Sequence, residues 1–203
     1  MSDNVNSRFA LAYVGVGSNI HPEENVVRAL ESLTKTLGVT LTGISTFYRT
    51  AALPDPKAAT APLDDDLKDI DPDFLNGVLE VRTVLTPPAF LAVLAGIERA
   101  LGRHRPSDRF APRTMDLDLL LYGLEEGPGL SPRWKEIGPG GLLAHPDIGS
   151  RSFVAHPLLE LAPNLILPNH GTPLRAHAAS FDTPGGKPET AFTEGLRSRL
   201  LTS

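Results

Sequence analysis

Two stretches of this chain place apolar residues at the same helical spacing, and each lies between strand-like runs. Val26, Leu30, Leu33 and Leu37 recur at intervals of 4, 3 and 4 residues, and Phe90, Leu94, Ile97 and Leu101 repeat that interval. Such a period puts each quartet on one helix face, and each face has to be buried against another layer. Pro22, Glu23, Glu24 and Gly38 mark the ends of the first helix; Thr86-Pro87-Pro88 and Gly102 mark those of the second. The facing layer comes from FALAYVGV (9–16), VTLTGISTFYRT (39–50), FLNGVLEVRTVL (74–85) and MDLDLLLY (115–122). All four are rich in residues that suit a pleated, half-buried surface.

The order strand, helix, strand, strand, helix, strand predicts an α+β fold: a ferredoxin-like split β-α-β sandwich with a βαββαβ core. Both helices should cover one face of a sheet containing antiparallel strands. With 203 residues, a single domain spanning 1–203 is expected. Its core runs from about 9 to 168, interrupted by a loop insert at 54–73 and followed by a weakly patterned tail at 170–203. Short turns with a helix at 157–162 are expected before the tail.

Charge narrows the partners. The chain has 19 basic and 24 acidic residues, a net charge of −5, which argues against a nucleic-acid partner. The insert alone holds seven aspartates and two lysines, which accounts for the whole imbalance. No cysteine is present, so thiolate metal sites and cysteine nucleophiles are excluded. The first residues lack the basic start and long apolar stretch of a secretory signal, and no window approaches a membrane span. The expectation is a cytoplasmic protein with no membrane partner.

Chemistry concentrates in RFAPRTMDLDLLLYG (109–123). Asp116 and Asp118, two apart on a strand, leave the same face about 7 Å apart by strand rise, while Leu117, Leu119 and Leu121 should enter the helix-covered core. Adjacent carboxylates raise each other's proton affinity unless a cation lies between them, and hard oxygens so spaced suit magnesium. A bare D-x-D is as often the solvated face of an exposed strand. Here Arg99, Arg103, Arg105, Arg109 and Arg113 precede it against one acid, Asp108. Five arginines exceed what a structural ion pair needs and offer planar donors to phosphate. Gly15-Val16-Gly17-Ser18-Asn19 lacks the further residues of a dinucleotide or P-loop fingerprint, so a tight strand-to-helix turn is expected there.

Together these stretches resemble the 6-hydroxymethyl-7,8-dihydropterin pyrophosphokinase (HPPK) family of folate biosynthesis. YVGVGSN, FYRT (47–50), FLNGV (74–78), the R-x-x-D-x-D signature within 109–123 and HPDIGSRSFVAHPLLELAP (145–163) occur in the family's order. The resemblance implies an ATP-dependent diphosphotransferase that moves pyrophosphate from ATP to the hydroxymethyl group of 6-hydroxymethyl-7,8-dihydropterin and releases AMP. It implies two Mg2+ ions on Asp116 and Asp118, and catalytic roles for those aspartates with Arg103 and Arg113. ATP contacts are implied for Glu98, Arg105, Arg113, His145 and Arg151. Pterin contacts are implied for Thr50, Leu53, Phe74, Asn76 and Phe153, with the two phenylalanines sandwiching the ring. The expected partners are these two small molecules, and the expected state is a monomer.

Three positions depart from the family pattern: Ala95 replaces a helix glutamine, Phe110 a loop tryptophan, and Ala51 a proline. None removes a metal ligand or signature arginine. Two other readings of these residues exist. A ferredoxin-like RNA- or ligand-binding module would array aromatic side chains on its open sheet, where this strand carries paired aspartates. A degenerate regulatory homologue has Ala95 as its support.

Overall fold

The computed structural model describes residues 9–51, 70–102, 112–127, 130–138, 141–168, 171–179, 181 and 186–201. Seven strands form one sheet: β1 (Ala10–Ile20), β2 (Val39–Ile44), β3 (Tyr48–Ala51), β4 (Ile70–Thr83), β5 (Asp116–Leu124), β6 (Arg133–Trp134) and β7 (Lys187–Pro188). Helices α1 (Pro22–Thr34) and α2 (Pro87–Ala100) follow β1 and β4. Four more, α3 (Asp147–Ser150), α4 (Ser152–Leu161), α5 (Leu174–Ala178) and α6 (Thr190–Leu200), occupy the C-terminal part.

The sheet runs β6-β5-β1-β4-β3-β7, with β2 also pairing β4, and every pairing is antiparallel. β2 and β3 share one edge of β4: β2 sits beside Leu79–Thr83 and β3 beside Asp73–Asn76. The predicted single strand 39–50 is therefore two strands. The break lies at Ser45, whose hydroxyl accepts the Val78 amide at 2.8 Å and whose own amide reaches the Val78 carbonyl at 2.9 Å.

Two apolar clusters lie on the two faces. One is closed by α1 and α2 and contains Leu30, Leu33, Phe90, Leu94, Leu117 and Leu119. The other is closed by α4 and contains Tyr13, Val78, Leu120, Leu121 and Leu158. Burying each such side chain contributes about 1.5–3 kcal/mol. Leu121 departs from the predicted alternation. The β1–β5 register slips between Tyr13 and Val14, so that Leu120 has no opposite residue. The extra residue reverses the parity of β5, and Leu121 joins Leu120 on the α4 face.

Other boundaries move too. α1 stops at Thr34, and Leu37, predicted on its buried face, is 93% exposed. Gly38 has φ 77, the left-handed geometry that turns the chain into β2 without a Cβ clash. β4 begins at Ile70, inside the predicted insert, and residues 52–69 lie outside the described residues. The helix expected at 157–162 spans Ser152–Leu161, with Pro157 inside it.

The tail carries more structure than its pattern suggests. β7 pairs with β3, and α6 buries Leu196 in the α1–α2 cluster. Its amphipathic signal is faint because one short helix supplies few apolar anchors. Thr193 instead holds the helix down, its hydroxyl accepting the buried Phe47 amide at 2.9 Å.

Candidate functional site

The cleft floor is set by register. Gly17 of β1 pairs with Asn76 of β4 on one side and with Asp116 of β5 on the other. Two residues earlier, Gly15 pairs with Val78 and Asp118. A glycine at each crossing leaves the strand bare between an amide and a row of carboxylates. At Gly17 the vacancy is required, since a Cβ would meet Asn76 Oδ1 at 2.8 Å. These glycines lie inside β1, which continues to Ile20, so they form a floor instead of the expected tight turn. His21, with φ 42, makes the turn into α1.

At the amide end, Asn76 is buried and its Nδ2 donates to Thr50 Oγ1 at 2.7 Å. Thr50 and Phe74 pair directly across β3 and β4. Phe153, from the first turn of α4, lines the same cleft as Phe74. An aromatic lining with a held amide at its edge suits a flat heterocycle with ring hydrogen-bonding groups.

At the carboxylate end, Asp116 is 8% exposed and Asp118 is open to solvent. Arg113 Nη1 hydrogen-bonds Asp116 Oδ2. The approach to β5 is gripped by the end of β1. Asn19 Oδ1 accepts the Arg113 amide at 2.7 Å, the Asn19 amide reaches the Arg113 carbonyl at 3.1 Å, and Ser18 Oγ donates to the Thr114 carbonyl at 2.7 Å. Arg151 and Asp147, from α3 and the step into α4, complete this wall with Nε and Oδ1 4.0 Å apart. The enclosed volume is about 380 Å³, within the range of small-molecule sites.

The donor set fits magnesium. Among the described residues no group of three His, Asp or Glu side chains could hold a metal, and Mg2+ does not need one. It binds through one or two carboxylates and completes its octahedron with water and phosphate oxygens. Asp116 and Asp118 supply that minimum beside two guanidinium groups able to receive phosphate.

Of the residues expected from sequence, Thr50, Phe74, Asn76, Arg113, Asp116, Asp118, Arg151 and Phe153 line this one cleft. Arg103, Arg105, Leu53 and Phe110 lie outside the described residues. Glu98 is not at the cleft: it is buried on α2, and its carboxylate accepts the Leu117 amide at 2.8 Å from the opposite face of β5. Ala95, also on α2, does not line the cleft either. His145 stands one step back, its amide bonded to the Leu120 carbonyl at 2.9 Å and its Nδ1 accepting the Asp147 amide at 3.3 Å. Asp147 was not anticipated. Its position one helical turn before Arg151 was the available signal.

Comparison with known proteins gives concordant matches. The family model for 7,8-dihydro-6-hydroxymethylpterin-pyrophosphokinase (HPPK) matches residues 13–163. The chain is 34% identical over 164 residues to the 2-amino-4-hydroxy-6-hydroxymethyldihydropteridine pyrophosphokinase of Synechocystis, covering 79% of this chain and 70% of that protein. The protein of the same name from Methylorubrum extorquens is 35% identical over 175 residues, covering 86% of this chain and 95% of that one. Among solved structures, an HPPK-DHPS in complex with substrates aligns with a TM-score of 0.54 at 14% identity, covering 85% of this chain and 43% of that one. A Plasmodium falciparum HPPK-DHPS triple mutant aligns with a TM-score of 0.55 at 12% identity, covering 98% of this chain and 47% of that one. The chain thus spans under half of each of those two proteins, and at such identity the likeness concerns the fold alone.

Proposed function

This chain belongs to the 7,8-dihydro-6-hydroxymethylpterin-pyrophosphokinase family, and on that premise we propose that the cleft over β1, β4 and β5 is its active site. The family's reaction, transfer of pyrophosphate from ATP to the hydroxymethyl group of the dihydropterin in folate biosynthesis, is the activity of this enzyme. The observation that carries the assignment to this cleft is the row Asn76–Gly17–Asp116. An amide suited to reading a ring edge and a carboxylate suited to holding a metal stand at opposite ends of one bare crossing.

Pterin lies at the amide end. Asn76, oriented by Thr50, reads the ring edge, and Phe74 and Phe153 flank its faces; Leu53 joins them from outside the described residues. ATP lies at the carboxylate end, where Arg113 and Arg151 take phosphate oxygens by charge-assisted hydrogen bonds. Arg103 and Arg105 extend this set. His145 supports it through Asp147, and Glu98 acts from behind β5 as a positioning residue.

Asp116 and Asp118 would hold magnesium, two ions in our reading; bound there, the metal neutralises phosphate charge and orients the transferring group. The pterin hydroxyl oxygen forms a bond to the β-phosphorus as the bond to the α–β bridging oxygen breaks. AMP leaves with that oxygen, and the hydroxyl proton passes to solvent. The protein contributes chiefly alignment and electrostatic stabilisation.

The strand order β5-β1-β4-β2 with α1 and α2 on one face supports the ferredoxin-like reading of the core, within one domain spanning 1–203. A monomer is our reading of the assembly. ATP as co-substrate supports a cytoplasmic location, with these two small molecules as partners and no nucleic acid. The test is product identity with ATP, magnesium and the hydroxymethyl dihydropterin: AMP is expected, and ADP as the sole nucleotide product would refute the reading.

A further inference from the structure

The match to the family model ends at residue 163, yet the chain beyond it returns to the back of the pterin end. Glu189 donates its amide to the Phe47 carbonyl at 2.8 Å, and Thr193 Oγ1 accepts the Phe47 amide at 2.9 Å, so α6 takes both backbone groups of Phe47. Phe192 packs edge-on against the Phe47 ring, with centroids 5.7 Å apart. That ring in turn occupies the space a Cβ on Gly77, next to Asn76, would need, at 2.9 Å. Arg197 Nε donates to the Ile44 carbonyl at 2.9 Å, and Arg49 Nε donates to Glu189 Oε1 at 3.1 Å.

β7 comes equally close to β3, pairing Pro188 with Tyr48 and Lys187 with Arg49. Just before it, a Cβ on Gly186 would fall 2.1 Å from the Arg49 carbonyl oxygen and 2.8 Å from Thr50 Cγ2. β3 is four residues long, and Thr50 on it holds the Asn76 amide. A strand this short relies on its supporting contacts to place its side chains accurately.

Building on the proposal that Thr50 and Asn76 read the pterin, we infer that the segment 186–200 is a brace that sets the position of β3 and so tunes pterin affinity. Gly186, Glu189 and Thr193 are positioning residues on this account. They touch no substrate and act through Phe47, Arg49 and Thr50.

The test uses the full chain with Gly186→Ala and, at a half-buried position with less risk to folding, Glu189→Ala. Thermal melts establish that each variant is folded, and KM is measured separately for pterin and ATP. Displacing a hydrogen-bonded pair should raise the pterin KM about tenfold in Gly186→Ala and by less in Glu189→Ala. The ATP KM should stay within about twofold. Equal changes in both KM values, a fall in kcat alone, or an unchanged pterin KM in folded variants would overturn the inference. If Gly186→Ala does not fold, Glu189→Ala decides. Asn76→Ala is the control for the underlying reading: an unchanged pterin KM there refutes the pterin site itself, whereas a raised one with silent brace variants refutes the brace alone.

Discussion

The side-chain oxygen of Asn76 occupies the space that a Cβ on Gly17 would require, 2.8 Å from it. The amide proposed to read the ring and the glycine that floors the cleft are therefore mutually dependent, on neighbouring strands held in fixed register. Gly17→Ala should push the Asn76 amide away from Thr50 while leaving β1 in place, since an extended backbone accepts alanine. We expect a pterin KM raised about tenfold, the scale of one misplaced hydrogen bond. Steady-state kinetics with each substrate varied checks this; a normal pterin KM would show that the amide does not have to sit there.

At the other end of the row, charge matters more than shape. Asp118→Asn keeps the volume and the strand but removes a hard anionic group from the pair proposed to hold magnesium. Turnover should fall by at least about a hundredfold, the scale of losing one preorganised electrostatic group. The melting temperature should hardly move, because Asp118 is exposed. Measuring kcat across a magnesium titration checks both parts, and activity restored to the wild-type level at ordinary magnesium would contradict the ligand role.

How much of this was legible in the sequence follows from how locally each feature is encoded. The alternation of strands with α1 and α2 was legible because each helix carries three buried apolar anchors at helical spacing, Val26, Leu30 and Leu33 on α1 and Phe90, Leu94 and Ile97 on α2. Asp116 and Asp118 were legible on one strand face by parity, and Asn76 and Phe74 were legible as lining the same cleft only through the resemblance. Leu121 was misplaced because a bulge at Leu120 depends on pairing with β1, which no local pattern in β5 records. Leu37 was misplaced because helical spacing continues past the residue where Gly38 turns the chain. The brace escaped because its anchors are backbone groups of Phe47 and one threonine hydroxyl, chemistry without periodicity. Glu98 was expected at the nucleotide from the resemblance alone, and its bond to the Leu117 amide depends on how α2 packs against β5, which no local pattern records.

A pH dependence follows from Tyr48. Its hydroxyl donates to Glu160 Oε1 at 2.7 Å; burial first, then the neighbouring carboxylate, push its pKa from 10.0 up to about 12. The folded state thus favours the protonated phenol. This stabilisation is complete below pH 10 and is lost as pH rises toward 12. Tyr13, raised by burial and by Glu80, and Tyr122, raised by burial, act in the same direction. Tyr48→Phe should therefore be less stable than the parent at pH 8, with a gap that narrows between pH 10 and 12. Denaturant unfolding of both proteins across that range checks the sign; a pH-independent gap would mean that the Tyr48 phenol is not raised in the folded state.

The last expectation concerns Glu98, whose carboxylate accepts the amide of Leu117, the residue between the two aspartates. The carboxylate is buried and joins α2 to β5 immediately behind Asp116 and Asp118. Glu98→Ala would leave the Leu117 amide buried without its acceptor, a loss of about 1–3 kcal/mol. It would also loosen the strand segment that aims Asp116 and Asp118. Glu98→Gln keeps an acceptor oxygen of the same reach and should retain most of the stability. If Glu98 acts by positioning, the glutamine variant should also retain kcat and the ATP KM, while the alanine variant loses kcat beyond what its reduced folded fraction explains. If instead Glu98 contacts nucleotide directly, both variants should raise the ATP KM alike. Unfolding curves and ATP-varied kinetics on the two variants separate these cases, because a positioning role and a binding role differ in what the glutamine rescues.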